Sequence, residues 1–362
     1  MSDVKPPLSL IIELTHRCPL ACPYCSNPLQ LAHKKQEKQT DTWRRVIDQA
    51  AKLGVLQVHF TGGEPLLRDD IVELIAAAKD AHLYSNLITS GIINRPSLPE
   101  HLAGAGIDHV QLSVQDTDPL SADQIGRLPH SLARKQRFAE SIRALNIPLT
   151  INAVIHRHNT TRIAQFVQLA VDWGAERIEI AHVQYYGWGL RNRAALMPSR
   201  TQVEETVQAV AAARARFAHI LRIDFVIPDY YARFPKACMG GWGQTTMTIT
   251  PTGKVLPCHA AETLTHLQFD TIEQRSLADI WFNSDAFQSY RGISRLPPAC
   301  QDCPRREVDW GGCRCQALAL SQTADAVDPC CFASTDHERI QQIAAQESAA
   351  SSSPAWVYRN AR

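Results

Sequence analysis

Cys18-Pro-Leu-Ala-Cys22-Pro-Tyr-Cys25 follows directly on the apolar run Leu8 to Leu14. That run has the length and composition of a buried strand, and the prolines after it stop it. A strand ending in a cysteine-bearing loop reads as the start of a βα series whose C-terminal strand ends carry the chemistry. Three thiols at this spacing would hold a four-iron cluster and leave one iron without a protein ligand. A structural metal site normally closes its shell. Two other readings stand beside it: a zinc site completed by His16, or buried apolar cysteines with no metal at all.

The next strand-like run, Val55 to Phe60, leads into Thr61-Gly62-Gly63-Glu64-Pro65. Glycines there would let the backbone approach a ligand closely. Alone the loop is only a turn. With the cysteine triad, in this order and separation, the chain resembles the radical S-adenosylmethionine superfamily. The resemblance implies S-adenosylmethionine as cofactor, its amino and carboxylate groups chelating the free iron of one 4Fe-4S cluster held by Cys18, Cys22 and Cys25, which are then also the catalytic residues. It further implies Glu64 and the Gly62-Gly63 backbone on the methionine amino group, with Tyr24 close to the adenine. Ser113 and Asn152, at strand ends, would bond ribose or carboxylate. Their alternative role is to satisfy loop backbone.

Short apolar strands alternate with amphipathic helical stretches between residues 8 and 184, which predicts repeated βα units and a parallel sheet. Six strands are expected: Leu8 to Leu14, Val55 to Phe60, Tyr84 to Thr89, His109 to Val114, Leu149 to Ile155 and Arg177 to Val183. Helices should begin near Asp41, Asp69, Leu98, Ser131 and Asn159, with Asp41, Asp69 and Asn159 as N-caps. The fold class is therefore α/β, a partial (βα)6 TIM barrel open on one side, followed by a cysteine-rich C-terminal domain. The Tyr185-Tyr186-Gly187-Trp188-Gly189 segment breaks the alternation, and a long helix from about Arg200 to Ala218 should follow. Residues 1–190 form the barrel, 191–237 a bridging helical segment, 238–335 the auxiliary domain and 336–362 an extension, flexible in part from Ala344 onward.

Hydrophobic content of 45% and charged content of 20% are ordinary globular values, so disorder should be confined to short segments. With 37 basic and 36 acidic residues the net charge is +1, and nothing calls for nucleic acid or a membrane surface. Met1 to Leu14 lacks the marks of a secretory signal, and no run approaches the roughly 18 apolar residues of a membrane span, so a cytoplasmic protein is expected. In a reducing compartment 11 cysteines point to metal or redox use, and an odd number argues against full disulfide pairing. None occurs between Cys25 and Cys238, which separates two cysteine territories.

The second territory reads Cys238, then Gly253-x4-Cys258, then Cys300-x2-Cys303-x5-Asp309-x3-Cys313, then Cys315 and Cys331. This resembles the SPASM auxiliary-cluster domain of peptide-modifying radical enzymes, except that Asp309 stands where a cysteine is expected. Either Asp309 is a surface carboxylate, or it ligates an iron as a hard oxygen donor, which would shift that cluster's potential. Retention of the surrounding cysteines favours ligation. The family's wiring implies an inner cluster on Cys238, Cys258, Cys313 and Cys315 and an outer one on Cys300, Cys303, Asp309 and Cys331, each 2Fe-2S or 4Fe-4S. Cys330 against Cys331 as last ligand stays open, the spare being a buried thiol.

Leu14-Thr-His-Arg-Cys-Pro-Leu-Ala-Cys-Pro-Tyr-Cys-Ser-Asn-Pro28, Asn86-Leu-Ile-Thr-Ser-Gly91, His156-Arg-His-Asn159, Tyr185-Tyr-Gly-Trp188, Pro228-Asp-Tyr-Tyr231, Pro235-Lys-Ala-Cys238 and Gly311-Gly-Cys-Arg-Cys-Gln316 are together similar to one branch of this family, the peptide cyclases of pyrroloquinoline quinone biosynthesis. That implies joining a glutamate and a tyrosine side chain of a precursor peptide. A small peptide chaperone and a flavodoxin-type or ferredoxin-type reductant are the implied partners. Other peptide-modifying radical enzymes, making a thioether or another cross-link, would share both territories, whereas a non-catalytic metal-binding protein would not need the Gly-Gly-Glu-Pro loop. His156, His158, Tyr185, Tyr186 and Trp188 are candidates for lining the substrate cavity, against the commoner case of solvated histidines and packed aromatics.

Overall fold

A computed structural model describes residues 4–349 and 354–359. Six strands form where the sequence predicts them: β1 Ser9–Thr15, β2 Gln57–Gly62, β3 Tyr84–Thr89, β4 His109–Val114, β5 Leu149–Ile155 and β6 Arg177–His182. Between them run α1 Thr40–Leu53, α2 Ile71–Asp80, α3 Leu98–Ala105, α4 Pro119–Gly126, α5 Ser131–Ala144 and α6 Ile163–Asp172. Burial follows helical periodicity, with Trp43, Val46, Ile47 and Ala50 inside on α1, which stops at Gly54 in the left-handed region. On α6 the same stripe is Ile163, Phe166, Val167 and Ala170.

Three further strands extend the sheet at its ends. β7 Arg222–Val226 pairs with β6 in the segment expected to be a helical bridge, after the helix Arg200–Phe217. β8 Thr246–Ile249 pairs with β1, and the short β9 Val255–Leu256 returns antiparallel on β8. The strand order is β7-β6-β5-β4-β3-β2-β1-β8-β9, so the sheet is parallel except at β9 and stays open. The cysteine-rich region is therefore joined to the main sheet through β8. Ile272, Leu277, Ile280, Trp281 and Phe287 belong to the main hydrophobic core, and a small cluster around Trp242, Leu256 and Tyr290 packs beside the cysteines. The cysteine-rich region thus has an apolar support of its own.

Helix starts differ from the expected caps by one to three residues. The cap positions are Gln39, Asp70 and Arg162, with Asn159 preceding a short 3-10 turn. Asp70 does not cap with its side chain because Arg68 and Thr40 take its carboxylate. Helix α4, absent from the sequence reading, is started by Asp118, whose side chain accepts from the Ser121 amide at 2.8 Å. Of the stretch expected to be flexible from Ala344 onward, residues up to Ala349 complete a helix, His337–Ala349, residues 354–359 lie against the barrel mouth, and 350–353 and 360–362 lie outside the described residues. No helix among the described residues is long and apolar enough to cross a membrane.

Candidate functional site

The root of the cysteine loop is set by contacts that precede Cys18. β1 shifts register between Glu13 and Thr15 opposite the end of β2. There the Gly63 amide donates to the Thr15 carbonyl at 2.5 Å and the Glu64 amide to the Arg17 carbonyl at 2.7 Å. A Cβ on Gly62 would overlap the Thr15 carbonyl oxygen, and one on Gly63 would overlap the Arg17 carbonyl, 2.6 Å from that of His16. Gly62 also has φ +130°, a conformation that disfavours side chains. Both glycines are thus needed for the close approach of loop to loop as well as for any ligand. Buried Glu37 adds a second tie, accepting from Thr15 Oγ1 at 2.5 Å and pairing with Arg17 and Arg68.

Cys18, Cys22 and Cys25 line a cavity of about 300 Å³ at the C-terminal ends of the strands, within the roughly 300–1,000 Å³ of small-molecule sites. Gly62, Gly63, Tyr24, Ser113 and Asn152 line it too. Burial pushes the Cys18 thiol up to about 12, and burial likewise raises Cys22 and Cys25. Thiols raised in this way stay protonated unless a positive centre compensates them, as an iron-sulfur cluster would. The zinc alternative lacks its fourth ligand. Both nitrogens of His16 are engaged, Nδ1 by the Ala32 amide at 2.9 Å and Nε2 near Glu13 at 3.4 Å. Among the described residues no three His, Cys, Asp or Glu side chains are placed to hold a single metal ion.

Glu64 stands behind the wall of this cavity. Its Oε1 accepts from the Leu66 amide at 3.0 Å and Thr89 Oγ1 at 2.6 Å, while its Oε2 accepts from the Ser90 amide at 2.7 Å and from Ser90 Oγ. All four lone-pair positions of the carboxylate are filled by the protein. Glu64 therefore clamps the Gly-Gly loop to the end of β3. Asn152 donates to Glu179 at 3.0 Å, and the Ser113 carbonyl accepts from Lys135 at 2.9 Å. Lys135, fully buried, also donates to the Ser90 carbonyl at 2.6 Å, and burial lowers its ammonium to about 8. The sequence held a signal for it: Lys135 lies on the stripe otherwise formed by Phe138, Ala139 and Ile142, the inward face of α5.

A second cavity, of about 500 Å³, adjoins the first and shares Ala181, Gln184 and Tyr186 with it. It is lined by Cys238, Cys258, Cys313 and Cys315, whose sulfurs are in mutual contact. Cys300, Cys303, Asp309 and Cys331 gather apart from these; burial, opposed by Arg314 and aided by Cys331, Asp309 and Cys303, raises Cys300 to about 11. Asp309 is buried, so the surface-carboxylate alternative is wrong; it accepts from Arg305 Nε at 3.0 Å and the Gly311 amide at 3.2 Å. Cys330 points elsewhere, its fully buried thiol donating to the Phe234 carbonyl at 3.3 Å.

Asp328, which the sequence reading missed, binds the two groups together. Its carboxylate accepts from the Cys313 amide at 2.6 Å, the Cys330 amide at 2.9 Å and Gln316 at 2.7 Å, and burial raises it to about 7. Tyr186 borders both cavities, its hydroxyl 2.5 Å from His259 Nε2. Tyr185 lines the second cavity. The other aromatic candidates face neither: His156 and His158 pack against Trp356, and buried Trp188 donates to the Pro28 carbonyl at 3.2 Å.

Comparison with known proteins agrees with both halves. Residues 12–170 match the model of the radical SAM superfamily, and residues 238–304 that of SPASM, an iron-sulfur cluster-binding domain. The chain is 58% identical over 359 residues to a PqqA peptide cyclase of Xanthomonas axonopodis pv. citri, covering 99% of this chain and 96% of the relative. A PqqA peptide cyclase of a Methylobacterium is 53% identical over 98% of this chain and 93% of its own. In fold the chain is similar to Streptococcus suis SuiB bound to S-adenosylmethionine, with TM-score 0.73 and 21% identity over 88% of this chain and 75% of that one. It is also similar to anSMEcpe with bound AdoMet, with TM-score 0.65 and 15% identity over 95% and 92%.

Proposed function

As the chain belongs to the radical S-adenosylmethionine superfamily, among the PqqA peptide cyclases, we propose that it forms a carbon-carbon bond between a glutamate and a tyrosine side chain of a PqqA-like precursor in pyrroloquinoline quinone biosynthesis. The observation that carries this reading is the pair of adjoining sulfur-lined cavities with Tyr186 between them. That pairing supports radical generation in one cavity and electron acceptance in the other, on either side of one substrate space.

Cys18, Cys22 and Cys25 would hold the catalytic 4Fe-4S cluster, which when reduced supplies one electron for cleaving S-adenosylmethionine to methionine and a 5′-deoxyadenosyl radical. The Gly62 and Gly63 backbone, with Tyr24, Ser113 and Asn152, would bind and orient the cofactor. Glu64, which sequence reasoning put on the methionine amino group, would also hold those glycines in place. Cys238, Cys258, Cys313 and Cys315 would hold the inner auxiliary cluster, and Cys300, Cys303, Asp309 and Cys331 the outer. The peptide loses two hydrogens overall, one to the deoxyadenosyl group and one as a ring proton with its electron. A PqqD-like chaperone would offset the entropy of ordering the peptide, and a flavodoxin-type or ferredoxin-type protein would supply electrons.

The test is incubation of anaerobically reconstituted protein with S-adenosylmethionine, reductant, chaperone and precursor. The product should be lighter by two hydrogens, with deuterium from the glutamate side chain recovered in deoxyadenosine. A bond located at a cysteine sulfur would transfer the chain to the thioether-forming enzymes.

A further inference from the structure

The C-terminal segment 354–359 is built into the mouth of the barrel. Asn192 grips it from both sides, its Nδ2 donating to the Val357 carbonyl at 2.8 Å and its Oδ1 accepting from the Val357 amide at 2.7 Å. The same Nδ2 donates to Pro23 in the cysteine loop, also at 2.8 Å. Trp356 packs edge-on to His158, Tyr358 donates to the Gln124 carbonyl at 3.1 Å, and Arg127 covers its ring. These contacts deliver Arg359 into the cavity of the cysteine triad, where it is 2% exposed.

Arg359 carries five N–H donors in a planar guanidinium fork. One guanidinium nitrogen donates to the His16 carbonyl, while Nε is buried with no hydrogen-bond partner among the described residues. No ion pair among the described residues includes Arg359, and the acid in the nearby loop, Glu64, has its acceptors filled. A buried guanidinium left in this way calls for an anionic partner from outside the chain. Gln115 and the Tyr24 hydroxyl, also buried in the same cavity, lie close enough to interact with each other.

We propose that Arg359 is a carboxylate-binding residue of this cavity, its planar fork receiving a carboxylate of a bound ligand. The proposal rests on the radical-enzyme reading above, which offers two sources of that chemistry: the amino-acid end of S-adenosylmethionine and the reacting glutamate of the peptide. The competing role is compensation of the sulfur-rich group alone, since Arg359 lowers all three triad thiols.

The experiment measures equilibrium binding to reconstituted holoenzyme, parent and Arg359→Gln, with four probes. They are S-adenosylmethionine, its decarboxylated analogue, the precursor peptide, and the peptide with glutamine at the reacting glutamate. Loss of a charge-assisted bond should weaken the carboxylate-bearing probe by about tenfold or more and leave its counterpart nearly unchanged. Loss confined to S-adenosylmethionine assigns the cofactor carboxylate, and loss confined to the glutamate peptide assigns the substrate's. Equal binding of all four probes by parent and variant overturns the proposal. Should the variant lose its barrel iron, hydrogen exchange of the parent decides. Amides of 354–359 should be protected by the carboxylate-bearing probe and less by its counterpart, and equal or absent protection overturns the assignment. A parent that binds neither cofactor nor peptide overturns the functional reading with it, whereas parent-like binding by the variant, with cleavage intact in the parent, overturns the Arg359 assignment alone.

Discussion

Gly63→Ala is the sharpest test of how the cysteine loop is positioned. The new methyl would lie 2.6 Å from the His16 carbonyl oxygen and closer still to that of Arg17, both backbone atoms. Relief requires the two loops to part by roughly 1 Å, the scale at which misplacement of reacting groups costs on the order of 100-fold in rate. The Gly63 to Thr15 and Glu64 to Arg17 hydrogen bonds stretch with it, and overpacking of this kind costs about 1–3 kcal/mol in stability. Anaerobic deoxyadenosine release, normalised to barrel-cluster iron, should therefore fall by about two orders of magnitude, while auxiliary iron stays bound. Gly104→Ala is the internal control: it lies in helix α3 with nothing within 4 Å of an added Cβ, and should stabilise by about 0.5–1 kcal/mol at parental activity. A Gly63→Ala protein that cleaves S-adenosylmethionine at the parental rate would refute the claim that this contact positions the triad.

Asp309→Ala should change the electron paramagnetic resonance signal of an auxiliary cluster without weakening cofactor binding; a spectrum identical to the parent's would leave Asp309 as a partner of Arg305 only. Asp328→Asn replaces a carboxylate that accepts three hydrogen bonds, at a cost of about 1–3 kcal/mol, and should lower auxiliary iron content while triad iron is unchanged. Full auxiliary occupancy would contradict a positioning role. Burial lowers His156 to about 3 and His182 to about 4, so between those values and 6.5 the unfolded chain binds more protons and stability rises with pH. Each should contribute about 2 kcal/mol that is present at pH 8 and lost by pH 5, fading further toward the folded values. Urea midpoints at the two pH values should differ less in His182→Gln than in the parent, and an equal difference would remove that histidine from the account.

The six central strands were legible because each is a short apolar run buried within a parallel sheet and bounded by turn residues. β7 was hidden by its brevity and its charged Arg222 and Asp224, and helix α4 by its start at Asp118-Pro119. The partner of β8 was not legible, since pairing Thr246 with Ser9 is a contact no local pattern encodes. In the site, the sequence separated two cysteine territories, and Asp309 lies near Cys303 and Cys331. It did not anticipate that Glu64 would be consumed by Thr89 and Ser90, because the hydrogen bonds that fill a carboxylate come from strands far along the chain. Arg359 was lost among residues with the composition of a loose tail, its burial coming from docking on Asn192.

The ladder between β1 and β8 has a kinetic consequence. The loop bearing Cys18 leaves the end of one of these strands, and Cys258 lies just beyond the hairpin that leaves the other. To slide or swing one sulfur-lined chamber against the other, the protein would have to tear backbone hydrogen bonds in a continuous sheet. On the proposed function, the gap an electron would tunnel across is thereby fixed like a gauge length when the chain folds, and because tunnelling decays exponentially with distance, its transit time would be fixed as well. Solvent viscosity and crowding should then act on the arrival and seating of the peptide, leaving the electron's passage untouched.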